Sequence, residues 1–295
     1  MSADVGETRA APAGRAGPNP SSMARLRVRF SKLGKVRWTS HRDVARMWER
    51  ALRRSGLPVA YSGGFSPHPL LSFGLALPTG CESTAEYLDV ILDPARAADE
   101  PGAWWSGTWA GPAVPAGSPP AAEPPGWAGW AAQVADRLPE HLTALLPGGV
   151  DVMAACAVGA GEPSLQQAVT SCTWRITVSG EPGAVADAVE AALAAPALPV
   201  ERERKGRTEI DDLRPSLLAA DVEPAPLAGP TGGAVLTIET ATRPRGVRPA
   251  ELARVLGVDV GAACRTSQWI ERDGSVQEPV VARPALVTEL LGRAS

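Results

Sequence analysis

Between Arg25 and Arg54 the apolar period of the chain changes from two to about 3.6, and most polar positions in both stretches are cations. Arg25-Leu26-Arg27-Val28-Arg29-Phe30 alternates as a strand does, which predicts Leu26, Val28 and Phe30 inward and the three arginines outward. Gly34 then turns the chain, and Val36 to Trp38 is expected to pair back. From Ser40 onward Val44, Met47, Trp48, Ala51 and Leu52 recur at helical spacing. Ser40 with Asp43 three positions on has the form of a capping box, and Gly56 ends the helix.

The charge is one-sided. Arg25 to Arg54 holds eleven Lys or Arg against Asp43 and Glu49, so the segment is +9 and, the whole chain being −3, the remainder is −12. A local cationic face on an acidic body implies an anionic partner. On the helix Arg42, Arg46, Arg50 and Arg53 or Arg54 follow i, i+4 spacing and form a line on the exposed side. Like charges so placed repel by roughly 0.2–0.5 kcal/mol per pair. The bland alternative is a solvated helix face. Against it stands the run of one sign through strand, turn and helix: Arg25, Arg27, Arg29, Lys32, Lys35 and Arg37 precede Arg42, Arg46, Arg50, Arg53 and Arg54. Phosphates bound by Arg and Lys supply most sequence-independent affinity for RNA. Trp38, beside Arg37, is placed to stack a base or to enter the core.

At 295 residues the chain can bury one sizeable core or two smaller ones. Residues 1–23, rich in Ala, Gly, Pro and Ser, are expected to be a disordered tail. After a short strand at 57–61, the run Ser62-Gly63-Gly64-Phe65-Ser66-Pro67-His68-Pro69 is too rich in Gly and Pro to be regular. Strands follow at 70–77 and 86–92, then a Pro/Gly/Ala/Trp-rich insertion at 93–126, a helix at 127–146 and a strand at 150–158. The second half gives a strand at 170–178, a helix at 183–195, a strand at 198–205, a Pro-rich excursion, a strand at 234–240, a helix at 248–256 and a strand at 264–271. This order is β-α-β-β-α-β. The expectation is an α+β chain of two tandem ferredoxin-like units, 24–160 with the flexible insertion and 161–275, with 276–295 as a C-terminal tail.

The run SKLGKVRWTSHRDVARMWERALRRSGLPVAYSGGFSPHP through ESTAEYLDV, with ERERKGRTEIDDLRPSLLAADVE and ATRPRGVRPAELARVLG…CRTSQWIE later, resembles the radical SAM-linked family, a domain of unknown function. Ser-His-x-Asp and Gly-Phe-Ser-Pro-His-Pro carry most of the likeness, which covers roughly residues 24–272. In many members the domain is fused behind a radical SAM enzyme, and in others it stands alone. The resemblance implies a module that delivers a substrate, RNA being a natural one, to a separate SAM-cleaving enzyme.

Three side chains have catalytic chemistry within reach of this surface. His41 lies at a helix start, where the positive dipole end favours a neutral imidazole; His68 sits in a Pro-His-Pro frame; Asp43 is near enough to orient either ring. If the three converge, general acid/base cleavage at an RNA 2′-hydroxyl or a two-histidine, one-carboxylate metal site becomes chemically accessible. The structural alternative, favoured here, is that Ser40 and Asp43 cap the helix and His68 bonds its own turn. Gly63 and Gly64 either cradle a phosphate or permit positive φ in a turn. His141 reads as a helix-surface residue. Arg202, Arg204, Lys205 and Arg207 form a second basic cluster and Arg243, Arg245 and Arg248 a third. Cys81, Cys156, Cys172 and Cys264 lie far apart, without the three-cysteine run of a radical SAM cluster or a zinc spacing, and read as buried reduced thiols. No apolar leader and no membrane-length apolar run occurs. The sequence therefore predicts a cytoplasmic, non-catalytic RNA-binding or substrate-presenting module for tRNA or rRNA with no metal or cofactor. Its binding surface is Arg25, Arg27, Arg29, Lys35, Arg37, Trp38, Arg42, Arg46, Arg50, Arg53, Arg54, Gly64 and Phe65. The alternatives are a metal-independent endoribonuclease using His41 and His68, and a protein adaptor for a separate radical SAM enzyme.

Overall fold

The alternating stretch forms β1, Ala24–Lys32, the inner strand of one flank of a large, mostly antiparallel sheet. The structure is a computed structural model, and it describes residues 23–93, 96, 134–135, 137–159, 161–204, 206–225, 233–282 and 284–293. The 1–22 tail, almost all of the 93–126 insertion and the 127–133 part of the expected helix lie outside those residues.

In the first half β1 is followed by a 3-10 turn, Gly34–Trp38, α1, His41–Arg54, β2, Leu71–Phe73, β3, Glu82–Leu92, α2, Leu138–Thr143, and β4, Val152–Val158. The second half contains α3, Leu165–Ala168, β5, Val169–Val178, α4, Pro182–Ala194, β6, Pro199–Arg204, β7, Arg207–Asp212, β8, Leu217–Pro224, β9, Ala234–Ala241, α5, Pro249–Leu256, β10, Val260–Arg272, β11, Ser275–Gln277, and α6, Pro284–Arg293. One sheet runs β4-β1-β3-β10-β5-β9-β8, with β2 beside β3 and β11 beside β10. All pairings are antiparallel except the seam of β3 with β10, where Cys264 faces Glu82 and Arg265 faces Ser83. Taken by halves, the order is β4-β1-β3-β2 and β10-β5-β9-β8. The halves thus share one sheet.

Leu26, Val28 and Phe30 enter the core as alternation predicts, beneath Val44, Trp48 and Leu52 of α1. Phe30 meets Trp48 edge to face with ring centroids 5.0 Å apart. Each such side chain removed from water stabilises the fold by about 1.5–3 kcal/mol. In the second half Trp174 and Ile176 of β5 and Ile238 of β9 lie under Val185 of α4 and Leu252 of α5. Arg175 and Thr177, on the opposite face of β5, are exposed.

Several expected elements differ. Val36–Trp38 is part of the 3-10 turn, because positive φ at Gly34 (63°) starts a tight coil instead of a hairpin. The 57–61 strand is reduced to isolated bridges, Val59 to Leu92 and Tyr61 to Pro69. The 70–77 strand survives only as Leu71–Phe73: the chain leaves the edge after Gly74, whose amide still bonds the Tyr87 carbonyl, and β10 takes over the remainder of β3. The strand at 198–205 is real but pairs only with β7 in a separate hairpin. Glu201 to Arg204 alternate charge, leaving little apolar surface to bury against the large sheet. Its expected place beside β9 is held by β8, within the stretch read as an excursion. The C-terminal segment is no loose tail: Val280, Ala282 and Leu290 are buried against the back of β1, β3 and β4. Among the described residues no helix is long and apolar enough to cross a membrane.

Candidate polyanion interface

The arginines of β1 do not face outward. Because the C-terminal segment and Leu165 cover the second face of this flank, both sides of β1 are interior. Arg27 and Arg29 are each 1 % exposed. Arg27 is bound bidentately by Asp89, Nε to Oδ1 at 2.7 Å and Nη2 to Oδ2 at 3.0 Å. Arg29 donates to Glu278 at 2.5 Å and to the Thr84 carbonyl at 3.1 Å. Arg25, half-buried, donates to the Glu162 carbonyl at 2.6 Å and has Asp89 at 3.7 Å. Lys32 is buried and gives its Nζ to the Thr39 carbonyl, and burial lowers its pKa despite the opposing pull of Glu86. Arg37 bonds Glu82 at 3.1 Å. The strand cations are therefore internal counter-charges, and Arg25, Arg27 and Arg29 drop out of the expected interface.

Two of the acids that neutralise them carry a readable signal. Glu82 and Asp89 belong to β3 together with Glu86, which binds Arg265, so ESTAEYLDV places three carboxylates in one buried strand. An acid-bearing strand and an arginine-bearing strand in one chain are natural neighbours when both are buried.

The α1 arginines behave otherwise. Ser40 caps the helix as expected: its Oγ accepts from the Asp43 amide at 3.2 Å and donates to the Asp43 carboxylate at 2.7 Å. The Ser40 hydroxyl holds the Asp43 carboxyl below the usual aspartate range, with its amide hydrogen bond and Arg46 adding to the effect. Arg42, Arg46, Arg50, Arg53 and Arg54 are all exposed. Only Arg46 meets a carboxylate among the described residues, Asp43 at 3.5 Å. Positions 42, 46, 50, 53 and 54 project within about a third of the helix circumference at 3.6 residues per turn. Lys35, in the 3-10 turn that precedes α1, is exposed.

Two aromatic side chains stand out of the surface nearby. Trp38, 64 % exposed, carries the Arg37 guanidinium 5.4 Å above its ring. Gly80 lies so close that a Cβ there would fall 2.9 Å from the Trp38 ring, so part of the indole rests on the 78–81 turn. Phe65 is fully exposed at the tip of the Gly-Phe-Ser-Pro loop, where Gly64 has φ 107° and so serves the turn. The loop is tied to α1 by Arg53, which donates to the Pro67 carbonyl at 3.1 Å, and by His68, whose Nδ1 lies 3.6 Å from Glu49. A further cation escaped the sequence reading. Tyr61 lies between the guanidinium groups of Arg53 at 5.6 Å and Arg96 at 4.9 Å. No periodicity in the Pro/Ala-rich stretch around Arg96 marks it.

The catalytic candidates do not assemble. His41 packs edge to face on Phe73 with centroids 4.9 Å apart. His68 is held at Glu49, eight residues and therefore about 12 Å farther along the helix axis. Asp43 bonds Ser40 and Arg46 and orients neither ring. Among the described residues no three His, Cys, Asp or Glu side chains are grouped to hold a metal. His141 is half-buried with Nε2 2.9 Å from the Ser55 carbonyl, tying α2 to the end of α1. The four cysteines are free, and burial raises the pKa of each, that of Cys264 to about 12. In the outer basic clusters Arg245 bonds Asp211 at 2.8 Å and Glu251 at 2.9 Å, Arg202 has Asp211 at 3.8 Å, and Arg243 donates to the Gln167 carbonyl.

One protein family, described as an uncharacterized protein conserved in bacteria (DUF2344), matches residues 25–102 and 131–249. No curated protein matches the chain.

Proposed function

This chain belongs to the bacterial DUF2344 family, and from that premise we propose that it is a non-catalytic RNA-binding module that presents tRNA or rRNA to a separate radical SAM enzyme. The observation that carries the proposal is the outer face of α1: five exposed guanidinium groups, four of them with no carboxylate among the described residues. Trp38, just before α1, and Phe65, on the loop tied to α1 through Arg53, are exposed and offer stacking surfaces for unpaired bases, the usual way single-stranded RNA is held. The radical SAM partnership rests on the family resemblance carried by the Ser-His-x-Asp and Gly-Phe-Ser-Pro-His-Pro runs. Free, protonated cysteines fit a reducing cytoplasm.

We read each half as a ferredoxin-like unit. The matching strand orders β4-β1-β3-β2 and β10-β5-β9-β8 support this, with the β6–β7 hairpin as an insertion in the second. In this arrangement each unit's helices lie on one sheet face, and α1 is the helix that offers cations.

Anisotropy titration of labelled tRNA and rRNA fragments tests the reading. The chain should bind at low salt and lose binding when Arg46, Arg50 and Arg54 are replaced together by Glu. With about 0.7 counterions released per phosphate on a single strand, five arginines give a log K against log salt slope no steeper than roughly −3.5. No binding at low salt, or binding indifferent to the triple reversal, defeats the proposal. Because His41 and His68 stand apart, His41→Ala and His68→Ala should leave RNA both bound and intact.

A further inference from the structure

On the helix-covered side of the sheet, where the two halves meet, a cavity of about 560 Å³ remains open. Leu75 and Leu77, from the connection between β2 and β3, line one side; Trp174 of β5 and Thr240 of β9 line the other. Small-molecule sites commonly have volumes of about 300–1,000 Å³ and favour such junctions between structural units. The cavity is separate from the outer face of α1, and none of its lining residues is an α1 arginine.

The chemistry of the lining is asymmetric. It contains no carboxylate, yet Arg248 and Arg265 both reach it. Arg265 is spent: it donates to Glu86 at 2.6 Å and to the Leu75 carbonyl at 2.8 Å, and its guanidinium lies 5.6 Å from the Trp174 ring centre. These contacts fix the indole and close the deep end of the cavity. Arg248 is different. It is exposed, and no carboxylate among the described residues pairs with its guanidinium. Glu251, which feels its charge, is bonded to the Arg245 guanidinium and to the Arg248 amide. Arg248 also precedes the first turn of α5, so the positive end of that helix adds to its field. Burial keeps the Cys172 thiol protonated, so it contributes no negative charge inside.

We propose that this cavity binds a small aromatic anion, its ring against Trp174 and between the leucines, its carboxylate or phosphate at Arg248 in the mouth. An apolar pocket with one unneutralised cation at its rim selects this class over neutral aromatics, which gain the burial but not the ion pair. It also disfavours cations, which would meet the Arg248 guanidinium with no carboxylate in the described lining to offset it.

Isothermal titration of the full chain with two matched pairs tests the assignment: adenosine monophosphate against adenosine, and indole-3-acetate against indole. The pairs distinguish a phosphate from a carboxylate ligand. At least one anion should bind saturably with one-to-one stoichiometry, and its neutral counterpart at least tenfold more weakly. Arg248→Gln should remove that preference, and Thr79→Trp, a bulky side chain on the exposed rim, should weaken binding at least tenfold. Both positions are at the surface, and unchanged thermal melts verify that the variants are folded. The Arg46, Arg50, Arg54 to Glu variant should retain the site, which separates it from the RNA surface. Saturable binding of neither anion, equal binding of the neutral counterparts, or affinity unchanged in both rim variants overturns the proposal.

Discussion

A guanidinium stripped of water needs its carboxylate, and Arg27 has Asp89 in a two-point contact with both side chains nearly inaccessible. Arg27→Ala leaves the buried Asp89 carboxylate with only the longer, 3.7 Å contact to the half-buried Arg25 and should destabilise the protein by about 3 kcal/mol, whereas Arg27→Met with Asp89→Leu should recover most of that loss. Urea denaturation of the two variants measures both effects. A single substitution within about 1 kcal/mol of the parent would show that the pair is hydrated. The same residues show where the sequence was ambiguous. Period two separates the faces of β1 but does not say whether the second face meets water, and arginine is ordinarily an outward residue. The face is closed by residues more than 200 positions away, Glu278 and Val280, a fact no local window contains.

Among the elements, α1 was the most legible, since its cap, apolar stripe and stop signal agree. Ser40→Ala should lower stability by about 1 kcal/mol at neutral pH, read as a shift in the denaturation midpoint. The Asp43 carboxyl is held below its unfolded value, so its stabilising contribution is present above the ordinary aspartate pKa and is lost as pH falls through the folded value. A midpoint followed downward from about pH 5 should therefore fall in the parent and fall less in Ser40→Ala. Gly149 is a second test at this scale. It has φ 92°, and an added Cβ would lie too close to the Leu33 carbonyl oxygen. Gly149→Ala should lose at least about 1–2 kcal/mol from the backbone conformation alone, with more as the turn before β4 shifts. The strand at 198–205 was expected in the place that β8 holds, for a related reason: alternation marks β6 as a strand, but whether a strand joins the large sheet depends on apolar surface, and β6 offers mainly charge, while β8 lies in a stretch whose prolines hide it.

At the scale of the whole molecule the parallel seam between β3 and β10 is short, with two residue pairs in register. Side chains reinforce it: Ser83 Oγ donates to the Arg265 carbonyl at 3.0 Å, Gln268 Nε2 donates to the Ala85 carbonyl, and Arg265 is bound to Glu86. The halves should unfold in one transition. Arg265→Met, which strands the Glu86 carboxylate at the seam, should cost about 3–5 kcal/mol and split the transition when tryptophan fluorescence and far-ultraviolet dichroism are compared. Coincident curves in that variant would place the coupling elsewhere. The tandem order of strands and helices could be inferred from alternating periods, but the fusion of both halves into one sheet could not, because edge pairing leaves no periodic trace.

The partner of Arg29 stands 249 residues downstream. During synthesis the ribosome therefore releases β1 long before the carboxylate that neutralises its Arg29. Until Glu278 emerges, that guanidinium must stay hydrated and the back of the sheet ajar, so the final segment acts as the latch that permits closure.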